Sequence, residues 1–445
     1  MVDAVVAVPV LLAALALFAW LGVTARDSAA DLDDYVAARG SQGAVTVGLS
    51  FLASGAGAWI LFTPAEIGAF VGMDGVAGYA VAAAAPFAAI ALVGPRVRRL
   101  LPRGRSLSDF AHERFGARFH LAVTAVSVLY MLTFLTAELT AVGALTERLT
   151  GLDGDVVLVL VAAVTLAYTT VGGLRASLRT DTWQGWLVLA LLAAGVLAAV
   201  GGLRDASAAW SGSGLLGVDR VGIEVALTLL VAVTAANLFH QGYWQRVWAA
   251  RDDAALRRGG ALGAALTVPV LLVAGATGVL ATGAGLDLGA PPAPFFALLT
   301  GLGPAVGVVV FVLGVALVAS SVDTLQAGLS ALTVSELPGA TLRRARVVTA
   351  LAMVPVTAVA LLGLSVLRIF LVADLLATAA VVPALIGLWS RATTAGAVAG
   401  LAAGLVAATI PEGLSGATFP SGVPTLAPFA WALAASAAVT VAASL

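Results

Sequence analysis

The chain has 445 residues, of which 61% are hydrophobic and only 11% are charged, and its mean hydropathy is +1.05. This composition excludes a soluble globular protein, because a chain of this length could not hide so much apolar surface in one aqueous core. A formal net charge of −1, arginines confined to loops and the absence of cysteine exclude a nucleic-acid-binding stripe, disulfides and thiolate chemistry.

The apolar segments are predicted to be membrane-spanning helices. Most reach about 20 residues and lack the alternating polarity of the ten-residue strands of a barrel. The first, Ala4 to Gly22, has no basic flank and is too long for a signal-peptide core, so we interpret it as a retained helix. About thirteen spans are predicted, near residues 4–24, 46–71, 76–94, 118–146, 154–173, 182–203, 221–249, 260–283, 301–334, 343–364, 366–390, 393–410 and 424–444.

The arginines between these spans indicate how the chain is oriented. If the N-terminus lies outside, 19 of the 23 arginines fall in loops on one side of the membrane. Positive residues in short loops mark the cytoplasmic side. We therefore predict a single transmembrane domain over residues 1–445 in the plasma membrane, with the N-terminus outside and the C-terminus cytoplasmic. Its partners would be the lipid bilayer and a small molecule, with no nucleic acid and no obligatory protein partner.

Three polar connections carry a specific pattern. Ser106 to Gly116 reads SLSDFAHERFG and is predicted to form a short surface helix that Ser106 or Ser108 caps. Tyr168 to Gln184 reads YTTVGGLRASLRTDTWQ, a glycine-broken joint between two apolar spans, and Gln241 to Ala250 reads QGYWQRVWAA. In this order the three segments resemble the sodium:solute symporter family, and the resemblance extends over most of residues 30 to 410.

The resemblance implies an all-α integral membrane fold of about thirteen transmembrane helices with two inverted five-helix repeats, a LeuT-like core. The repeats would occupy residues 46–203 and 221–390. An extra N-terminal helix would lie within residues 1–30, and two C-terminal helices within residues 391–445.

In this family the first helix of each repeat is broken. The candidate breaks are Ala53 to Ala58, which reads ASGAGA, and Asn237 to Gly242, which reads NLFHQG. Broken helices at membrane depth need protein or a water-filled cavity around them, so paired breaks point to a transport site. Small residues alone could equally serve close helix packing.

The resemblance also implies a sodium site. Ser320 and Ser321 resemble the paired hydroxyls of the family, and Ala53 and Ala56 of the first break would supply backbone carbonyls. Sodium prefers hard oxygen ligands, which hydroxyls and unwound carbonyls provide. The alternative is that each serine bonds its own preceding helical turn.

Asp181 matches a family aspartate that is associated with ion exit. Its alternative role is a helix-start carboxylate, stabilised by the helix dipole and by Arg175 or Arg179. Two positions depart from the family: Gly55 stands where several members carry aspartate, and His240 with Gln241 replaces a common Asp-Gln pair. Coupling to Na⁺ or, alternatively, to H⁺ therefore stays open.

Three acids lie inside predicted spans. Glu66, Glu138 and Asp374 have apolar neighbours, and a charge at the bilayer centre costs roughly 3 kcal/mol, so such residues face the protein interior. They are candidate substrate contacts for a cationic or amino-bearing solute, although a buried hydrogen-bonding network is the alternative. Further candidate contacts lie at the two breaks: Gly55, Gly57, Trp59, His240 and Gln241. Tyr243, Trp244 and Trp248 are expected to be interface anchors instead.

The function predicted from the resemblance is sodium-coupled secondary active symport of a small polar organic solute, such as proline or another amino acid, urea or an amine. A sugar fits less well, because the sequence suggests few aromatic platforms. A proton-coupled transporter that uses Glu138 and a transport-like membrane sensor or scaffold are the alternatives. An enzyme is the poorest fit, since the sequence offers no metal cluster, cysteine nucleophile or serine-histidine arrangement.

Overall fold

Helices make up nearly all of the regular structure in the computed structural model, which describes residues 2–24, 32–337, 339, 341–364, 366–409 and 426–445. The side chains of residues 366–368 and 372 are outside this description, as are Arg26 and the predicted start of the last span at residue 424. In the described part, eight helices are long and apolar enough to cross a membrane, or nine if one bent pair forms a span. The chain is therefore a multi-pass membrane protein.

The first half of the chain contains helices that follow the predicted spans closely. The helices are α1 (Ala4–Val23), α2 (Leu32–Ala37), α3 (Ala44–Gly55), α4 (Thr63–Phe70), α5 (Met73–Leu100), α6 (Leu107–Phe115), α7 (Ala117–Thr150), α8 (Gly154–Gly201) and α9 (Ala206–Gly212). The predicted surface helix is confirmed as α6, where the Ser106 side chain accepts a hydrogen bond from the backbone N–H of Asp109 at 2.8 Å.

The second half repeats the mixture of long and short helices. These are α10 (Arg220–Asn237), α11 (Gln241–Ala249), α12 (Asp253–Gly283), α13 (Pro294–Leu299), α14 (Pro304–Glu336), α15 (Leu342–Ala360), α16 (Val366–Leu385), α17 (Thr394–Ala407) and α18 (Ala427–Ala442). Helix α14 packs against α7 and α8, and α12 packs against α3, α4 and α5. Helix α1 packs against α8 and α14.

Both predicted helix breaks are present. Helix α3 ends at Gly55, a short 3₁₀ turn covers Ala58–Leu61, and the two parts of the span are bent by 62°. Helix α10 ends at Asn237 and α11 begins at Gln241. The break in the first span is stabilised locally, because the Trp59 indole N–H donates to the Gly55 carbonyl at 3.2 Å.

The glycine-broken joint is confirmed at Gly173. A continuous helix of 48 residues would be about 72 Å long, far more than one bilayer crossing, but Gly173 interrupts α8 with a φ of +59°. Only glycine adopts this conformation readily. The Tyr35 ring of α2 packs where a Gly173 Cβ would lie, and its hydroxyl donates to the Thr169 and Thr170 carbonyls at 3.2 and 3.1 Å.

Arg39 joins the end of α2 to the turn that follows α5. Arg39 donates two hydrogen bonds to the Asp33 carboxylate, at 2.5 and 2.9 Å, and also reaches the carbonyls of Pro102, Arg103 and Gly104. The hydrogen bond from Arg39 lowers the pKa of Asp33. The bonds to three successive carbonyls connect α2 to the turn between α5 and α6.

The expectation that Tyr243, Trp244 and Trp248 anchor the chain at the interface is wrong. All three side chains are at most 1% exposed. The indole N–H of Trp244 donates to the Leu238 carbonyl at 2.7 Å, and that of Trp248 donates to the Leu101 carbonyl at 2.9 Å. Hydrogen-bonded indoles pack in the interior because their polar atom is satisfied there.

Candidate substrate and ion site

A small cavity of about 40 Å³ lies between the two broken spans. Its wall includes Gly55, Ala56 and Trp59 from the first break and Asn237 and Tyr243 from the second. Helices α5, α7, α12 and α16 supply the remaining wall. The cavity thus occupies the place that the paired breaks predict for a transported solute.

Asp374 of α16 is the acid of this cavity. Its residue is 3% exposed, yet it lines the empty space. Among the residues that the structure describes, Thr378 donates to the Asp374 backbone carbonyl, and none donates a hydrogen bond to its carboxylate. A buried carboxylate without a partner is costly, so an incoming donor or cation would gain from meeting it.

Aromatic rings dominate the rest of the wall, and of these the sequence had pointed only to Trp59. The seven rings belong to Trp59, Tyr79, Phe87, Tyr130, Phe134, Tyr243 and Phe370. The ring centroids of Phe134 and Phe370 are 4.9 Å apart, and those of Trp59 and Tyr79 are 5.6 Å apart. The sequence spacing could have indicated part of this wall. Tyr130 and Phe134 are four residues apart and share a face of α7, and Phe370 and Asp374 share a face of α16 in the same way.

Glu138 does not belong to the cavity wall. It is fully buried, and one carboxylate oxygen accepts a hydrogen bond from the Ala58 backbone N–H at 2.8 Å, directly beyond the first break. Its other oxygen, Oε1, has no partner in the described part of the chain. Glu138 therefore holds the backbone of the break, and Gly57 has no side chain because a Cβ would overlap the Glu138 carboxylate.

We expect Gly57→Ala to destabilise the protein by about 1–3 kcal/mol, because the added methyl group must displace the Glu138 carboxylate from Ala58. Gly43→Ala, at the start of the same span with no atom within 4 Å of its Cβ, is the control. The measurement is unfolding in mixed detergent and SDS. The double variant Gly57→Ala with Glu138→Ala should lose less free energy of unfolding than the sum of the losses in the two single variants. Strictly additive losses would contradict the contact between Gly57 and the Glu138 carboxylate.

Glu66 lies in a separate space. Together with Glu147, Arg148 and Asp155 it lines a wide vestibule beside residues 290–292. The Thr63 hydroxyl is 3.1 Å from the Tyr79 hydroxyl, and since Thr63 lines the vestibule and Tyr79 the cavity, this pair lies between the two spaces. Glu66, Glu138 and Asp374 thus occupy three different surroundings.

His240 and Gln241 also lie outside the cavity wall. The His240 ring stacks on Tyr243 with centroids 4.0 Å apart, and neither ring nitrogen has a partner among the described residues. The Gln241 side-chain amide donates to the Arg105 carbonyl at 2.6 Å. His240 therefore supports the Tyr243 wall from behind, while Gln241 connects α11 to the turn before α6.

The candidate sodium ligands lie on α3 and α14. Ser320 donates its hydroxyl proton to Asp181 at 2.7 Å, which leaves the oxygen lone pairs free to accept a cation. Ser321 donates to the Leu317 carbonyl of its own preceding turn at 3.2 Å. Ala53 is in the last turn of α3, and Ala56 lies in the break with φ −91° and ψ 80°. An own-turn bond for Ser321 does not remove its oxygen as a ligand.

Asp181 is the centre of a fully buried polar network. The Arg246 guanidinium bonds its Oδ2 at 2.7 Å, Ser50 donates to the same oxygen at 2.5 Å, and Ser320 donates to Oδ1. Arg246 also donates to Thr324 at 3.0 Å. The alternative with Arg175 or Arg179 as partner is wrong: Arg175 pairs with Asp34, and Arg179 donates to the Thr24 carbonyl.

A second buried acid, Asp323, was not identified from the sequence as a site residue. Its Oδ2 accepts hydrogen bonds from Tyr168 and from Thr180, both at 2.9 Å. Its Oδ1 has no partner within the described ranges. Asp323 therefore connects α14 to both sides of the Gly173 joint, two residues beyond Ser321.

Comparison with known proteins shows that the chain is similar to membrane transporters. The model of the sodium:solute symporter family matches residues 35–276. The spermidine transporter DUR31 of Candida albicans is 31% identical over 366 residues, which cover 80% of this chain and 69% of that protein.

Two solved structures share the fold at low sequence identity. A Na⁺-coupled sialic acid symporter in a substrate-bound outward-open state superposes with a TM-score of 0.82 at 16% identity, covering 98% of this chain and 97% of its own. Mhp1, a nucleobase-cation-symport-1 family transporter in a closed conformation with bromovinylhydantoin bound, gives a TM-score of 0.59 at 15% identity. The coverage there is 92% of this chain and 93% of that chain.

Proposed function

Because the chain belongs to the sodium:solute symporter family, we propose that this transporter is a sodium-coupled symporter that imports a small polar organic solute by alternating access. The observation that carries the proposal is the cavity between two broken spans, with the buried carboxylate of Asp374 in its wall. Rocking of one helix bundle around such a central site is the usual mechanism of transporters built on broken helices.

The coupling ion in this proposal is Na⁺, held by the hydroxyls of Ser320 and Ser321 and the carbonyls of Ala53 and Ala56. The hydrogen bond from Ser320 to Asp181 supports the assignment, because Ser320 uses its proton in this bond and its oxygen lone pairs can still bind a cation. Asp181 would receive the ion on its way out. Each sodium ion that moves down a potential of 100 mV contributes about 2.3 kcal/mol.

Among the expected solutes, an amine fits the cavity better than proline or urea. The acid in the cavity wall favours a positive group, and a relative is named as a spermidine transporter. The sialic acid symporter shares the fold alone at 16% identity and lends no support to an acidic substrate.

The membrane arrangement in this proposal follows from the arginine distribution. The N-terminus would lie outside and the C-terminus in the cytoplasm of a plasma-membrane protein with about thirteen transmembrane helices. Residues 46–203 and 221–390 would form the inverted repeats. The two breaks, at the start of each proposed repeat, support this division.

The test is uptake into proteoliposomes of a radiolabelled panel of amino acids, urea, amines and sugars, with an imposed sodium gradient or an imposed proton gradient. We expect uptake of one amine-bearing solute to rise at least tenfold with inward sodium. Uptake that follows only the proton gradient would refute sodium coupling.

Proton coupling through Glu138 is the second candidate function. The observation that favours it is the buried Oε1 of Glu138, which has no partner among described atoms, beside the first break. Glu138→Gln keeps an acceptor for the Ala58 N–H but cannot carry a proton. Retained sodium-driven uptake in this variant supports the proposed function, whereas loss of gradient-driven uptake with intact folding supports the proton-coupled alternative.

A further inference from the structure

We propose that the central cavity selects an organic cation with one positive charge on a fully alkylated nitrogen, a quaternary ammonium group. Asp374 and the aromatic rings of the cavity wall would hold this group. The inference rests on the proposed function, since it takes the cavity as the substrate site, and it specifies the chemistry of the ligand. It differs from recognition of a polyamine, which carries several primary or secondary ammonium groups.

The charged side chains in the cavity wall indicate the charge of the ligand. Asp374 is the one acid among the lining residues that the structure describes, and no arginine or histidine is among them. The Asp374 residue is 3% exposed, and no described residue donates a hydrogen bond to its carboxylate, since Thr378 bonds only its backbone carbonyl. One positive charge on the ligand would neutralise the wall, whereas an anionic ligand would be repelled and a second cationic centre would stay unpaired.

The alkylation of the nitrogen follows from the ring and hydrocarbon surface that makes up most of the wall. A primary ammonium group has three donors that need partners. Besides the Asp374 carboxylate, the acceptors in the wall are side-chain oxygens of Asn237, Thr267 and three tyrosines, which lie on five different helices. The remaining wall is mainly hydrocarbon and ring surface. An alkylated ammonium presents C–H groups that carry the charge, and these contact ring faces without hydrogen bonds.

The rings are suited to this role because they approach from several helices. Phe134 comes from α7, Phe370 from α16, and Tyr243 from α11, where the His240 ring supports it at a centroid distance of 4.0 Å. Rings fixed by neighbouring rings lose little freedom when a cation binds. Asp374 is four residues from Phe370 on α16, so the carboxylate and one ring share a face of the same helix.

The test is equilibrium binding to the purified full-length protein, measured as a thermal shift and by calorimetry in sodium buffer. The probes are tetramethylammonium, the neutral tert-butanol as a compact apolar control, and spermidine. We expect tetramethylammonium to bind at least tenfold more tightly than either other probe. Asp374→Asn should abolish that preference, and Phe134→Leu should weaken tetramethylammonium binding severalfold without changing tert-butanol binding.

Glu147→Gln, an exposed acid-to-amide change in the vestibule, is the matched control and should leave the preference intact. If Asp374→Asn does not fold, Phe134→Leu alone decides. Equal binding of tetramethylammonium and tert-butanol, or tighter binding of spermidine by wild type, would overturn the inference. Selective tetramethylammonium binding without any sodium-stimulated uptake would instead refute only the proposed coupling.

Discussion

Replacing Arg246 with methionine is expected to destabilise the protein by about 3–5 kcal/mol, because it leaves the Asp181 carboxylate buried without a counter-charge. Both side chains are 0% exposed, and their atoms are 2.7 Å apart. Arg246 also donates to the Gly242 carbonyl at 2.6 Å and to Ser50 at 2.9 Å. Its removal therefore loosens α3, α8, α11 and α14 together.

The measurement is unfolding of purified variants in mixed detergent and SDS. The double variant Asp181→Asn with Arg246→Met should be more stable than Arg246→Met alone, since the unpaired charge is gone while the amide oxygen still accepts from one of the two serines, Ser50 or Ser320. Arg251→Met is the matched control, because the Arg251 side chain is 71% exposed and its pair with Asp252 contributes little. A double variant no more stable than Arg246→Met would contradict the pairing.

Ser320→Ala is expected to raise the sodium concentration for half-maximal uptake at least tenfold. The change removes a proposed sodium ligand and also a donor to Asp181 at 2.7 Å. Ser321→Ala removes the other hydroxyl and should have a similar effect on sodium dependence with less effect on folding, because its proton goes only to Leu317. Sodium takes about five hard-oxygen ligands, and the helix offers no other oxygen to replace a serine hydroxyl that is removed.

Ser330→Ala is the matched control for both serine variants. Ser330 is a buried serine of the same helix, 2.8 Å from Thr349 and outside the proposed ligand set. Sodium activation curves for uptake by folded variants in proteoliposomes give the result. Unchanged sodium dependence in both Ser320→Ala and Ser321→Ala would exclude this pair as the sodium site.

Features that depend on neighbouring residues were predictable. Apolar run length indicates membrane helices, and the segments ASGAGA at residues 53–58 and NLFHQG at residues 237–242, placed through the family resemblance, indicated where the two spans break. Gly172 and Gly173 likewise indicated the joint, since a positive φ is a property of one residue. The serine cap of α6 is equally local.

Features that depend on which distant side chains meet were not predictable. Tyr243 was expected at the membrane interface, but His240 and Phe87 enclose its ring. Glu138 was expected in the substrate cavity, but it binds the backbone at Ala58. The alternation of polar and apolar residues along a helix indicates a face but not the element that this face meets.

The sequence by itself determined the membrane-helix architecture, the positions of the breaks and the family resemblance, because these are written in short contiguous segments. Only the tertiary structure decided that Arg246, 65 residues from Asp181, pairs with it, and that seven rings line the same cavity as Asp374. The physical reason is that a buried charge takes its partner from whatever side chain the packing of separate helices brings within hydrogen-bond distance.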